Sequence, residues 1–281
     1  MPLYGAIEAG GTKFLCAVGA DPARPEQLQR FDTAVNPLET IANVVAYFEK
    51  RGPVDALGVA SFGPLDFERG AIARTPKLPW QDFPIRASLE RALHVPVALE
   101  TDVNAAALGE QACGAAQGCT DFVYVTVGTG IGGGAISGGR LIHGLMHPEM
   151  GHLPLRLHPG EPAGFRGQCP FHATCLEGLA AGPALHARWG SPAEELPPEH
   201  PAWTLEAFYL AQMCFSLACT LSPRKIILGG GVMAQAHLLP RIREELAALA
   251  NGYLPLPEIL TPASPAPALQ GALALARSLV P

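Results

Sequence analysis

An α/β protein of two similar domains facing each other is predicted by three observations on this sequence. Strand-like and helix-like segments alternate along most of its length, the pattern of sheets covered by helices. A strand, a Gly-Thr turn and a second strand occur twice, at 8–18 and again at 127–136, which marks an internal duplication. With 281 residues, 48% of them hydrophobic, the chain is long enough to bury one large core or two moderate ones.

The elements follow in order. Two short apolar runs, 4–7 and 14–18, are joined by Glu8-Ala9-Gly10-Gly11-Thr12-Lys13 and read as a β-hairpin with a glycine turn. QLQRFDT, from Gln27, reads as a third strand. Asn36-Pro37 starts a helix whose apolar residues Ile41, Val44, Val45 and Phe48 fall on one face, and VDALGVAS at 54–61 is a buried strand. A helix over 84–94, a strand VPVALE at 95–100 and an Ala-rich helix after 101–104 continue the alternation. At Asp121 the pattern restarts with FVYVTVGTGIGGGAISGG. An irregular run over 153–170 is broken by Pro154, Pro159, Pro162 and Pro170 and by three glycines, and a second loop covers 190–201. Helix 202–221, strand KIILGG from Lys225, helix 232–250 and a last Ala-Leu helix from Pro267 complete the chain. The expected domains are 1–112, with the C-terminal helix 265–281 packed back on it, and 113–264.

Composition narrows the function. A formal charge of -6 with 19 Lys and Arg and no basic cluster carries no electrostatic footprint for nucleic acid or an anionic membrane, so a small-molecule ligand is expected. Seven cysteines spread over the chain, and a Met1 that runs directly into an apolar strand, point to a reducing, cytoplasmic setting. The most apolar window, LEAFYLAQMCFSLACTL at 205–221, contains Glu206 and Gln212 and reads as a buried helix.

Three glycine loops follow or link apolar strands: Gly10-Gly11-Thr12, Gly128 to Gly134, and Gly229-Gly230-Gly231. Phosphate oxygens need close approach by backbone N–H groups, which a Cβ obstructs. A dinucleotide fingerprint is excluded by context, because 128–134 leads into a strand and not a helix, and no Gly-Lys-Ser/Thr ending makes a P-loop. A nucleotide held between two facing hairpin turns remains, with Gly229 to Gly231 capping a helix that begins near Val232. Asp102 stands in a Thr-Asp helix start, where an aspartate ordinarily serves as N-cap. Cys169, His172 and Cys175, spaced three apart, suit either a zinc site or buried thiols beside a surface imidazole. Cys16, Cys113, Cys119, Cys214 and Cys219 read as small core residues.

GAIEAGGTKF at 5–14, ETDVNAAALGE at 100–110, GTGIGGG at 128–134, HPEMGH at 147–152, CPFHATCLEG at 169–178 and LGGGVM at 228–233 together resemble the ROK family of sugar kinases. Glu-Ala-Gly-Gly-Thr-Lys, TPKLPW at 75–80 and the Cys-x2-His-x2-Cys spacing are most similar to its bacterial zinc-containing fructokinases. The resemblance implies the actin-like ATPase (ribonuclease H-like) fold, two α/β domains hinged around a cleft, and a kinase that uses ATP and Mg²⁺ to make fructose 6-phosphate. By the same resemblance Asp102 is the catalytic base, and Glu149, His152 and Glu177 hold the sugar hydroxyls, with Ser61-Phe62-Gly63-Pro64 shaping that side of the site. Gly10, Gly11, Thr12 and Lys13 form the first phosphate loop and Thr129, Gly130 and Gly132 the second. Gly229, Gly230 and Gly231 lie against the adenosine, with Gly182-Pro183 on its other side.

Glu8 stands where many relatives carry an aspartate that bears on magnesium, and Thr101 where many carry an asparagine. His152 is the implied fourth ligand of a structural Zn²⁺ held by Cys169, His172 and Cys175, with His143, His147 and His158 the other histidines near enough in sequence. A homodimer is implied. The competing readings are a ROK kinase for glucose, mannose or an N-acetylhexosamine, a non-catalytic sugar-binding protein, and a ROK-type repressor, which needs an N-terminal DNA-binding domain where this chain has a strand from residue 4.

Overall fold

The computed structural model of the protein describes residues 1–75, 77–264 and 266–280. Pro76 of the TPKLPW motif and the expected helix ends Pro265 and Pro281 lie outside the described residues. The chain divides into two compact units, one made of Met1–Gly118, Ile142–His147 and Ala263–Pro281, the other of Cys119–Leu141 and Pro148–Pro262.

The first unit begins with strands β1 (Tyr4–Ala9), β2 (Lys13–Gly19) and β3 (Glu26–Asp32), then helix α1 (Pro37–Arg51). Asn36 caps α1 by accepting from the Leu38 N–H, Pro37 occupies its first turn, and Ile41, Val44, Tyr47 and Phe48 make its buried face. Strand β4 (Ala56–Ser61) is buried along its whole length, as a central parallel strand must be. A small ribbon, β5 (Leu65–Asp66) and β6 (Ala71–Ile72), precedes helix α2 (Ile85–Leu93), strand β7 (Val97–Thr101) and helix α3 (Asp102–Cys113). The sheet order is β3-β2-β1-β4-β7, with β1 antiparallel to β2 and parallel to β4.

In the second unit, β8 (Phe122–Val127) and β9 (Ile131–Ser137) form the repeated hairpin and β10 (Arg140–Leu141) extends it. Helices α4 (Leu176–Ala180), α5 (Gly182–Trp189) and α6 (Ala202–Leu221) follow, then β11 (Lys225–Gly229), α7 (Leu238–Ala250) and β12 (Glu258–Leu260). The sheet order β10-β9-β8-β11-β12 repeats that of the first unit: an antiparallel hairpin whose first strand is continued by parallel strands. By length and composition α6 could cross a membrane, but more than half of its apolar window is buried inside this unit, against α7 and α4.

Helix α8 (Pro267–Ser278) returns to the first unit and packs on α3, β1 and β4. The approach is close enough to require glycine: a Cβ on Gly271 would meet the Ala105 carbonyl oxygen at 1.7 Å, one on Gly109 the Pro267 oxygen at 2.1 Å, and one on Gly58 the Ala272 oxygen at 1.8 Å.

Several expectations are corrected. The first unit runs to 118, because Ala115 and Ala116 are bonded back to Glu110 beyond the end of α3. Residues 142–147 also belong to it, tied there by His143 to Glu100 and by His147 to the Leu65 N–H. The expected helix 232–250 is a 3-10 turn at Val232–Ala234 followed by α7, because Pro240 lacks an N–H and its ring excludes the carbonyl four residues back. Gly229 to Gly231 therefore cap no α-helix. Cys219 is exposed and Cys113 half-buried at helix ends, whereas Cys16, Cys119 and Cys214 are core.

Candidate functional site

In the first unit the candidate base stands where β7 becomes α3. The capping role expected of Asp102 falls to its neighbour: Thr101 Oγ1 accepts from the Asn104 N–H at 3.1 Å. Asp102 is the first helical residue, half-buried, with Oδ1 accepting from the Val103 N–H at 2.9 Å, where the helix dipole favours a carboxylate. Gly10-Gly11-Thr12-Lys13 forms a turn closed by the Gly10 N–H to the Lys13 carbonyl at 2.8 Å, and Thr33 donates to the Gly10 carbonyl at 2.8 Å. Burial pushes the Glu8 carboxyl up, with Lys13 pulling it back, so a cation beside Glu8 would favour its charged form. Gly63 precedes a cis peptide to Pro64, and a Cβ on it would lie 3.3 Å from His147 Nε2.

In the second unit one ligand atom from each of His152, Cys169, His172 and Cys175 lies within 4.8 Å of every other. Sequence left the fourth histidine open, and the fold selects His152. His143 and His147 belong to the first unit, and the His158 ring accepts from the Gly160 N–H and packs on Phe208. Cys169 Sγ stands 3.7 Å from His152 Nδ1 and 3.9 Å from His172 Nδ1, and Cys175 Sγ 3.5 Å from His152 Nδ1. Bond lengths of about 2.3 Å to sulfur and 2.0 Å to nitrogen around a tetrahedral zinc put S and N about 3.6 Å apart, so the donor set fits that ion in kind and spacing. Two buried thiols brought this close are poorly solvated as thiolates unless a cation takes their charge.

The cluster joins separate pieces of chain. His152 ends a 3-10 turn at Met150–His152, Cys169 and His172 sit in the irregular run, and Cys175 is the N-cap of α4. Leu176 N–H donates to the Leu153 carbonyl at 2.9 Å and Gln168 N–H to Gly178 at 2.9 Å, closing the run upon itself. Glu177, in the first turn of α4, accepts from the Ile131 N–H at 2.9 Å through Oε2, and that oxygen would be 2.7 Å from a Cβ on Gly130. Glu177 is thus fastened to the second glycine turn. Glu149 is exposed, and its carbonyl accepts from His152 N–H at 3.0 Å.

The glycine segments of this unit converge. Gly182 N–H donates to the Gly128 carbonyl at 2.8 Å, which brings exposed Pro183 beside the turn holding Thr129, Gly130 and Gly132. Gly230, at φ +94°, passes so near Val127 that a Cβ would lie 2.3 Å from its carbonyl oxygen. Gly229 to Gly231 and the second turn therefore adjoin, with Thr129, Gly230 and Gly231 exposed there. Sequence reasoning missed the roles of Glu100, Asn104 and His143, and the bond from Glu177 to Ile131.

A family model described as "ROK family" matches residues 4–278. The chain is 44% identical over 262 residues to a fructokinase of Pediococcus pentosaceus, covering 92% of this chain and 90% of that protein. It is 41% identical over 290 residues to a fructokinase of Streptococcus mutans, covering 99% and 98%. Among solved structures, a ROK hexokinase from Thermus thermophilus superposes with a TM-score of 0.81 at 34% identity over 99% of each chain.

Proposed function

We propose that this chain, which belongs to the ROK family and has its actin-like ATPase fold, phosphorylates D-fructose to fructose 6-phosphate with ATP. The observation that carries the reading is the likeness to fructokinases over nearly the whole chain, at 41–44% identity. In this reading Asp102 takes the proton of the sugar's primary hydroxyl as its oxygen bonds to the γ-phosphorus, while the bond from phosphorus to the β-phosphate oxygen breaks and ADP leaves. The cap made by Thr101 supports the assignment, because the N-cap bond to the Asn104 N–H comes from Thr101 and not from the Asp102 carboxylate.

Glu149, His152, Glu177 and Gly63 are assigned to the sugar. Gly10, Gly11, Thr12, Lys13, Thr129, Gly130, Gly132, Pro183, Gly229, Gly230 and Gly231 are assigned to ATP. His152 serves twice without conflict: Nδ1 faces the two thiols and Nε2 is left to donate to a hydroxyl. Magnesium, arriving with ATP, would neutralise phosphate charge, and Glu8, at the end of β1 before the first turn, would bear on it through water. His152, Cys169, His172 and Cys175 would hold a zinc that cross-links the irregular run, and four protein ligands would leave no open position for chemistry. The cytoplasm suits seven free cysteines, and a homodimer, as the family resemblance implies, is checked by light scattering.

The test is a coupled ADP-release assay across fructose, glucose, mannose and N-acetylhexosamines, with metal analysis of the same sample. Fructose is expected to give the highest kcat/KM and the metal content to be one zinc per chain. Preference for another hexose would replace fructose in this reading, and no ADP release with any of them would refute a kinase.

A further inference from the structure

We infer that His143 contacts the acceptor sugar and that Glu100 sets the tautomer in which it does so, an inference that rests on the kinase reading above. Glu100 lies near the end of β7, two residues before Asp102, and its side chain is 6% exposed. Among the described residues its carboxylate meets only nitrogens. Oε1 accepts from the Thr101 N–H and from Asn104 Nδ2, both at 2.8 Å, and Oε2 faces His143 Nε2 at 2.8 Å. A carboxylate has no proton to give, so against Oε2 the imidazole donates from Nε2. Asn104 Nδ2, 3.5 Å from the same nitrogen, has its own bond to Oε1. A neutral imidazole that donates at Nε2 carries a lone pair at Nδ1.

That lone pair has no partner among the described residues, and the His143 side chain is 37% exposed. Phe67 meets the ring edge-on at 5.1 Å and 84°, which fixes its plane. His143 and Glu100 line a cavity of about 850 Å³ together with Pro64, Phe67, Leu145 and Met146, all residues of the first unit. Asp66, Glu68 and Arg74 also line it, and apolar surface set with polar groups is what small-molecule sites share. The neighbouring Asn104 Oδ1, buried and without a partner among the described residues, adds a second acceptor to the cluster. An oriented acceptor beside the strand end that carries the base suits a hydroxyl-rich ligand. It penalises a ligand lacking the matching hydroxyl, because the acceptor is then left unpaired.

The decisive variant is His143→Gln, whose amide N–H reaches toward Glu100 as Nε2 does but whose carbonyl oxygen does not stand at the Nδ1 position. It is expected to raise the fructose KM about tenfold, the worth of one such hydrogen bond, with a smaller fall in kcat and no change in the KM for ATP or in melting temperature. Glu100→Gln presents a donor to the imidazole, forcing the proton onto Nδ1. The same rise in fructose KM is expected, together with exchange of the two ring ¹⁵N signals of His143.

An unchanged fructose KM in His143→Gln overturns the inference. So does a joint shift of both KM values and the melting temperature, which is what a packing role would produce. Wild-type turnover tests the kinase reading separately. If another hexose is turned over in place of fructose, the variants are read on the KM for that sugar; if none is, both readings fall.

Discussion

Asp102 and Glu206 are acids in opposite surroundings, and each supports a prediction. Asp102 opens a helix that Thr101 already caps, so Asp102→Asn is expected to fold with an unchanged melting temperature while kcat in the coupled assay falls by about 100-fold or more. Retention of most turnover would remove Asp102 from the chemistry. Glu206 is fully buried in α6, and both its oxygens lack a partner among the described residues. Burial raises its pKa well above the ordinary 4.5, against the pull of Arg188, which is itself paired with Glu161. The folded protein therefore keeps this proton where the unfolded chain has lost it, so the contribution is fully present below pH 4.5 and is lost as pH rises toward the folded pKa.

Glu206→Gln removes that titration. The stability gap between variant and parent should widen in the variant's favour by as much as about 1.4 kcal/mol per pH unit above that point, read by denaturant melts from pH 5 to pH 8; a flat difference would contradict it. Sequence marked Glu206 only as a polar residue interrupting an apolar helix, since nothing local tells a buried acid from one at the surface. Glu100 and His143 were illegible as a pair for a related reason: 43 positions separate them, and no spacing rule spans a strand end and a distant loop.

At the scale of elements, what could be read was what has a period or a stop signal. The repeated hairpin was legible because apolar runs flank a glycine turn, and α1 because Asn36-Pro37 starts it and its apolar residues share a face. The two-residue strands β5, β6 and β10 are too short for any alternation, and α4 and α5, of five and eight residues, lie within proline- and glycine-rich sequence where one or two turns leave no pattern. The run over 153–170 is irregular in sequence, and its order comes from contacts without a sequence signature: the four clustered side chains and the bonds from Leu176 and Gln168. Cys175→Ser removes one donor at the N-cap of α4. We expect it to lower the melting temperature by about 10 °C, roughly 3 kcal/mol in a domain of this size, and to raise the fructose KM in the same preparation. A chelator should lower the parent's melting temperature toward the variant's and leave the variant where it is. Because Glu177 is bonded to Ile131, the KM for ATP should rise as well, though less. Unchanged melting and unchanged fructose KM would leave the cluster without a structural role.

For the whole molecule, duplication was legible and the division of the chain was not. Both sheets have the same order and strand directions, as the repeated turn predicts. The boundaries escaped because a contact decides them: His143 and His147 hold 142–147 to the first unit across many residues of intervening chain. The last helix is the larger case. Leu269, Ala272, Leu273 and Ala276 of α8 are completely buried against the first sheet and α3, so a chain ending at Pro262 should lose the first unit while the second survives. Limited proteolysis is expected to digest 1–118 of that truncated protein quickly and to spare fragments of 148–262; equal resistance of both would contradict it. Since α8 follows every residue of the second unit in the chain, the order of assembly during translation runs against the order of synthesis. The second unit has all of its residues once Pro262 has left the ribosome, while the sheet that emerged first still waits, its α8-facing side uncovered, for the closing helix. The first unit therefore becomes native after the second although most of it is synthesised earlier, and the nascent stretch that needs protection from aggregation is the one that has waited longer.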